Sequence, residues 1–338
     1  MKLALAALLL AATSVASAAP GKLTYTGKAM GTYVTVWFWT DKEPEAAKAA
    51  EQVFSEMKRL DEKMTTWTAD SEVSKVNAAA GTAKPVAVSD ETFEVIERAQ
   101  DISKKSGGVF DITVGSFKGL WKFDEDMDGT LPDPAEVKKR LKLVGYKELV
   151  LDKKKHTVSI RKKGMSITLG GIAKGYAVDK CAALLKAAGF TDFMVQAGGD
   201  MYVAGKKGNE PWVVGIRDPR GTDLFAGMPI TDHSFSTSGD YERGFVKDGV
   251  RYHHILDPRT GQPAHASRSV TIRAKDAYTA DSWSKVMFIV GYQKGLELIK
   301  KYKLDDFEVV WVDDKNELHM TPAIEKELKI VKQPTAGP

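Results

Sequence analysis

A lysine stands three residues after a glycine pair in Leu169-Gly-Gly-Ile-Ala-Lys-Gly-Tyr-Ala-Val-Asp179, where a helical pattern begins. Gly170 and Gly171 let the backbone come close to a ligand, and Lys174 adds a point charge at the positive end of the helix. Backbone N–H groups at such a turn suit a phosphate. The segment is neither a Walker A loop nor G-x-G-x-x-G, and taken alone such a turn more often serves packing. His253 and His254 precede Asp257-Pro258-Arg259-Thr260-Gly261, a turn sequence. Side chains alternate along a strand, so only one of these imidazoles faces a given site, as a general base or as an orienting group for a phosphate. In Thr279-Ala-Asp-Ser-Trp-Ser-Lys-Val-Met-Phe-Ile-Val-Gly291, Asp281 and Lys285 share a helix face. They read either as a simple ion pair or as a carboxylate presented to a hard cation bridging phosphates.

With Ala197-Gly-Gly-Asp-Met201 between them, these segments imply an enzyme that handles a pyrophosphate nucleotide. Other chemistries are excluded more easily. None of the six histidines has H-E-x-x-H or C-x-x-C company, which speaks against zinc. Asp124-x-Asp126-x-Asp128-Gly129 imitates the start of a calcium loop, but its twelfth position is Ala135 where Glu is required, and Pro132 and Pro134 interrupt it. It reads as a solvated acidic loop.

The elements that must position these residues are legible in outline. Tyr33 to Trp39 alternates as a strand, and Pro44 to Met64 is an amphipathic helix. Asp90 caps a helix through Lys105, and Asp133-Pro134 opens a short helix ending near Gly145. Leu149–Asp152 and Thr157–Arg161 form a hairpin. Ser166 to Leu169 is expected as a strand feeding the glycine turn, followed by a helix from Ile172 to Ala188. Strands follow at Phe193–Gln196, Met201–Ala204, Trp212–Arg217, Val270–Ala274 and Phe307–Val312, with helix from Asp276 to Lys301 broken near Gly291. Helices and strands mix without regular alternation, so the fold class is α+β rather than doubly wound.

The N-terminus reads as a signal peptide over residues 1–18. Lys2 is the positive region, Leu3 to Ala12 the apolar core, and Ala16-Ser17-Ala18 the cleavage site, leaving Ala19 first. No cysteine at that point offers a lipid anchor, and the only cysteine, Cys181, allows no intrachain disulfide. No later apolar stretch is long enough to cross a membrane. The expectation is an exported, periplasmic, soluble chain without membrane insertion. Loss of Lys2 takes the formal charge from +4 to +3, too small an excess to argue for nucleic acid.

Taken in order, the motifs resemble those of the FAD:protein FMN transferases, the ApbE family, from about Met30 to Val312. The matching segments are Met30-Gly-Thr, Met64-Thr-Thr-Trp-Thr-Ala-Asp-Ser-Glu-Val-Ser-Lys-Val-Asn77 and Gly108-Val-Phe-Asp-Ile-Thr-Val-Gly115, then the glycine turn, Ala197-Gly-Gly-Asp200, Ser236-Thr-Ser-Gly-Asp-Tyr241, the His254 turn and the Asp281 helix. The resemblance implies an ApbE-like fold with mixed helices and strands around a single FAD cleft, assigned to residues 19–332, while the terminal residues 333–338 read by themselves as a disordered tail. It implies transfer of FMN from FAD to a threonine or serine of an exported or membrane electron-transfer flavoprotein, with AMP released and magnesium used. Met30, Trp67, Val109, Phe110, Asp111, Thr168, Lys174 and Ile255 would contact FAD. His254 would be catalytic, and Gly171 (through its carbonyl), Asp281 and Ser284 would hold magnesium.

Two positions depart from the family's pattern. An aspartate is usual where this chain has Thr168, and a threonine metal ligand is usual where it has Lys285. A charged lysine cannot ligate magnesium. Either Lys285 weakens or replaces the ion, or it points to solvent and Ser284 completes the site. The alternatives to transfer are an FAD-binding protein with a weakened metal site, or an FAD pyrophosphatase yielding FMN and AMP. A solute-binding protein would need two similar α/β lobes, which the strand order does not suggest. The sequence leaves the acceptor and the oligomeric state open.

Overall fold

The computed structural model describes residues 20–123 and 126–337. The signal peptide over 1–18, and Asp124 of the acidic loop, lie outside the described residues. An eight-stranded sheet forms the frame. Its spatial order is Gly21–Ala29, Thr32–Thr40, Phe193–Ala197, Asp200–Ala204, His233–Gly239, Ser267–Ala274, Phe307–Asp313 and Leu318–Met320, with every neighbouring pair antiparallel.

The inner strands of the sheet are buried on both faces, which explains their apolar runs, whereas the edge strand Gly21–Ala29 has an exposed face. In Phe307–Asp313, Val309 and Trp311 enter one core, while Val310 and Val312 enter another. Alternation along a strand sends these pairs to opposite faces. The first core is closed by the helices Glu43–Met64, Ala173–Ala187 and Ala277–Tyr302. The second is closed by a small sheet in the order Lys329–Ile330, Leu224–Ile230, Glu210–Arg217, Lys206–Lys207, through Phe225, Met228, Trp212 and Ile216. Mixed helices and strands in segregated layers make this an α+β fold. A separate three-stranded sheet joins Val86–Ala87 and the hairpin Leu149–Asp152/Thr157–Ile160.

Most helices lie where the periodicity puts them. Ala46, Ala50, Val53, Met57 and Leu60 form the buried stripe of Glu43–Met64. Ser89 rather than Asp90 caps the Asp90–Ser106 helix, its hydroxyl accepting from the Thr92 N–H. The last long helix bends at Gly291, whose φ of 72° is open to glycine at little cost.

One expected strand needs correction. Ser166–Leu169 is extended but belongs to no sheet. The Asn77 amide clamps it instead, its Nδ2 donating to the Ile167 carbonyl (2.9 Å) and its Oδ1 accepting from the Ile167 N–H (2.7 Å). The Thr168 N–H turns to the Ile112 carbonyl at 2.8 Å. A side chain thus replaces a neighbouring strand in satisfying this backbone. Near the C-terminus, Thr335 donates from its N–H and its hydroxyl to the buried Asp218 carboxylate, and Pro334 is buried.

Candidate active site

Two helix N-termini meet at Gly175. A Cβ there would lie 2.3 Å from the Ala277 carbonyl oxygen and 2.7 Å from the Asp281 Cβ, so only glycine permits this crossing. Asp179, one turn further, accepts from the N–H groups of Ala277 and Tyr278 at 2.8 and 2.9 Å, capping the second helix from the first. Burial pushes the Asp179 carboxyl up to about 7 against these hydrogen bonds. The crossing brings Lys174 and Asp281 to one spot.

Two buried carboxylates lie at that spot. Asp200 projects from a Gly198-Gly199 turn that must be glycine: Gly198 has φ 60°, and a Cβ on Gly199 would sit 2.6 Å from the Thr237 carbonyl oxygen. The Asp200 oxygens accept from the Ser236 hydroxyl (2.5 Å) and from Lys174 Nζ (3.0 Å). Asp281 Oδ2 accepts from the Gly175 N–H at 2.9 Å and lies 3.9 Å from Lys174 Nζ. Asp281 Oδ1 pairs with Lys285 Nζ, which also donates to the Asp281 carbonyl at 3.0 Å. The Ser284 hydroxyl lies 2.7 Å from that carbonyl and 2.7 Å from the Ser238 hydroxyl, away from the carboxylates.

The charges are strongly coupled. Burial alone would lower Lys174, but Asp200 and Asp281 outweigh it and hold the ammonium above its usual value. Burial would raise Asp200, yet Lys174, Lys285 and Ser236 bring it below the ordinary carboxylate range. Burial and the neighbouring Asp200 push Asp281 up, against Lys174 and Lys285.

The histidines are carried by the ribbon Gly244–Lys247/Val250–His253, where Gly244 faces His253. Aromatic contacts dock the ribbon: ring centroids lie 5.9 Å apart for Tyr252 and Trp121 and 6.1 Å apart for Phe245 and Phe123. His253 is buried, bonds the Ala264 carbonyl through Nε2 at 2.7 Å and meets Phe288 edge-on at 5.5 Å. Burial pushes its imidazole down to about 4. His254 is the exposed member of the pair, its N–H donating to the Arg243 carbonyl at 3.1 Å. Desolvation, then His253, Arg243 and Lys285, push the His254 imidazole below its ordinary range; its open face lets water offset part of the first effect. Ile255 is buried beneath it.

Of the other expected contacts, Phe110 and Thr168 lie at the glycine turn. Phe110 touches the glycine turn, its ring 3.4 Å from a Cβ built on Gly171, and Val109 is buried beside it. The Thr168 hydroxyl sits 3.4 Å from the Gly170 N–H. Asp111 spends both oxygens internally, on Thr113 (N–H 2.8 Å, hydroxyl 2.6 Å) and on the Tyr146 N–H (2.7 Å). It lines an open cavity of about 430 Å³ with Gly107, Gly108, Lys162 and Arg259. Met30 occupies φ 52° in a two-residue hairpin turn, held by its N–H to Asp61 at 3.0 Å. Trp67 is 75% exposed, with Lys118 Nζ 4.5 Å from its ring centroid. Its open face suits stacking against a planar ligand.

Sequence reasoning gave no role to four residues here: Asp200, Ser236, Ser238 and Arg243. The first three stood inside quoted motifs, and their signal was a Gly-Gly turn feeding an acid and a serine-rich strand. Arg243 links the two sides, since a Cβ on Gly31, beside Met30, would lie 3.8 Å from its guanidinium.

Comparison with known proteins gives a consistent result. The ApbE family model matches residues 30–311. The chain is 36% identical to the FAD:protein FMN transferase of Treponema pallidum over 275 residues, 76% of this chain and 75% of that protein. It is 31% identical to one from Klebsiella pneumoniae, covering 85% and 88%. Its fold is similar to the ApbE protein of Thermotoga maritima, with TM-score 0.82, 34% identity, and 91% and 99% of the two chains covered. It is also similar to the flavin transferase ApbE of Vibrio cholerae, with TM-score 0.81, 25% identity and the same coverage.

Proposed function

This chain belongs to the ApbE family, and from that premise we propose that it transfers FMN from FAD to a threonine or serine hydroxyl of a partner protein, releasing AMP. One observation carries the reading: an exposed imidazole, His254, stands among the cations Arg243 and Lys285 beside the Lys174 helix N-terminus. That set suits a pyrophosphate under attack.

Phosphoryl transfer needs positioning and neutralised charge more than covalent chemistry from the protein. The acceptor oxygen attacks the FMN phosphorus. The bond from that phosphorus to the bridging oxygen breaks, and AMP leaves with the bridge. His254, held neutral by its surroundings, takes the hydroxyl proton. Lys174 and Arg243 stabilise charge on the phosphate oxygens, with the glycine turn allowing close backbone approach. Trp67, Phe110 and Met30 offer apolar surface to the flavin, and Val109, Asp111, Thr168 and Ile255 are the further residues proposed to contact FAD.

Magnesium at Gly171, Asp281 and Ser284 does not fit the donors as they stand. The Asp281 oxygens are held by Lys285 and the Gly175 N–H, and the Ser284 hydroxyl is turned to Ser238 and the helix. No step here is routed through it.

The sequence of the first eighteen residues supports export, and with it a periplasmic acceptor such as a membrane electron-transfer flavoprotein. Among the described residues no helix is long and apolar enough to cross a membrane. The test is the intact mass of a flavin-accepting domain after incubation with the mature chain and FAD. A gain of one FMN with AMP in solution is expected. Free FMN with an unmodified acceptor would replace transfer by pyrophosphate hydrolysis, and intact bound FAD would leave only binding.

A further inference from the structure

We infer that Lys285 is the permanent counter-ion of Asp281, occupying the carboxylate position a divalent cation would need, and that Lys285 and Lys174 together cradle the FAD pyrophosphate without a metal. The inference rests on the FAD reading above and deepens it.

All four oxygens of the two buried carboxylates are committed. Asp200 gives one to the Ser236 hydroxyl and one to Lys174. Asp281 gives one to Lys285 and one to the Gly175 N–H. Magnesium asks for a near-octahedral set of hard oxygens and reluctantly sheds water. Here Asp281 Oδ1 already carries the Lys285 ammonium, which has donors only. The Asp281 carbonyl, a second oxygen on the same helix turn, is likewise capped by Lys285 and Ser284.

The arrangement is built into the helix. Asp281 and Lys285 are four residues apart on Ala277–Tyr302, the spacing that places side chains one above the other. Lys285 therefore reaches Asp281 from within the same helix. The formal charges of the two lysines match those of the two aspartates. Without a bound pyrophosphate, a divalent ion would add two uncompensated positive charges to this buried site, an arrangement the low dielectric penalises. Both ammonium groups also keep an open side, with side-chain exposures of 24% for Lys174 and 20% for Lys285. A bound pyrophosphate would meet those sides together with the helix N-terminus. A chelator cannot remove a cation that is covalently part of the chain.

The measurements are FAD affinity, from quenching of flavin fluorescence, with excess EDTA and with magnesium, and Mn2+ binding to the metal-free protein by electron paramagnetic resonance. Wild type is expected to bind FAD within about twofold under both conditions and to hold no Mn2+. Lys285→Thr frees an Asp281 oxygen and adds a hydroxyl. It is expected to gain one Mn2+ per chain and to bind FAD about tenfold more weakly in EDTA than with Mn2+. Stoichiometric Mn2+ on the wild type, with FAD affinity falling tenfold or more in EDTA, would overturn the inference while leaving the FAD reading intact. Absence of FAD binding in both conditions would instead remove the FAD reading, and the cradle with it. The wild-type arms decide the question even where the variant misfolds.

Discussion

Adjacent histidines divide the labour between core and cleft. Strand alternation told us that one of the pair faces the site; which one depended on the ribbon that carries them, and its aromatic docking has no local sequence signature. His254→Ala is expected to lower the transfer rate by about 10²–10⁴-fold, leaving FAD affinity and melting temperature near wild type. An equal loss of FAD binding would make His254 a binding group instead. His253→Ala opens a cavity at Phe288 and orphans the Ala264 carbonyl, so it should cost about 2–4 kcal/mol in denaturant unfolding. The buried titrations carry opposite signs. His253 has a folded pKa of about 4 against roughly 6.5 unfolded, so its contribution is complete above 6.5 and is lost as pH falls towards 4. Asp179, pushed to about 7, favours the folded state most at low pH, and its contribution is lost as pH rises through 7. The two largely offset each other across that window. Asp179→Asn removes one of them, so its unfolding free energy should fall more steeply than wild type between pH 6.5 and 4. Parallel curves would refute this account of both residues.

The elements divide according to where their order comes from. Helices with a clear apolar stripe, such as Glu43–Met64, were legible because burial follows the 3.6-residue period. The strands Leu224–Ile230 and His233–Gly239 were missed: LFAGMPI contains glycine and proline, and HSFSTSG is mostly serine, threonine and glycine. Their β state comes from pairing across the sheets, which outweighs weak local preference. Ser166–Leu169 failed the other way, since its β-like composition is satisfied by Asn77 rather than by a strand. The glycine turn was legible as a close approach, but not the partner it approaches. Gly175 turns out to serve the helix crossing. Gly175→Ala places a methyl against the Ala277 carbonyl, where backbone must yield. A loss of about 1–3 kcal/mol is expected in chemical denaturation. FAD affinity should fall with it, because Lys174 and Asp281 can no longer share one spot. Unchanged FAD binding in a destabilised variant would separate the crossing from the site.

At the scale of the whole molecule, the site joins segments that are distant in sequence, and their meeting depends on an order of eight strands that no local pattern encodes. One consequence reaches Thr335, near the C-terminus. Thr335 bonds Asp218, Asp218 accepts from the Arg220 N–H at 3.1 Å, and the Arg220 guanidinium makes a paired contact with Asp240, 2.7 Å at each oxygen. Asp240 follows directly on the strand that presents Ser236 to Asp200 and Ser238 to Ser284. Polar contacts thus run from the tail, through the loop of the small sheet, to the strand beneath the two carboxylates. Removing residues 333–338 would take away the Thr335 donors and leave Asp218, fully buried, with Arg220 and Lys332 as remaining partners. Loss of partners to a buried carboxylate should cost about 1–3 kcal/mol, read as a lower melting temperature. Arg220→Ala breaks a buried, doubly hydrogen-bonded ion pair to Asp240, so its cost should be larger, about 3–5 kcal/mol. The combined variant should cost less than the sum of the two, since both act through Asp218 and the strand it steadies. Strict additivity would mean that the tail stabilises only the small sheet, with no bearing on the strand that presents the serines.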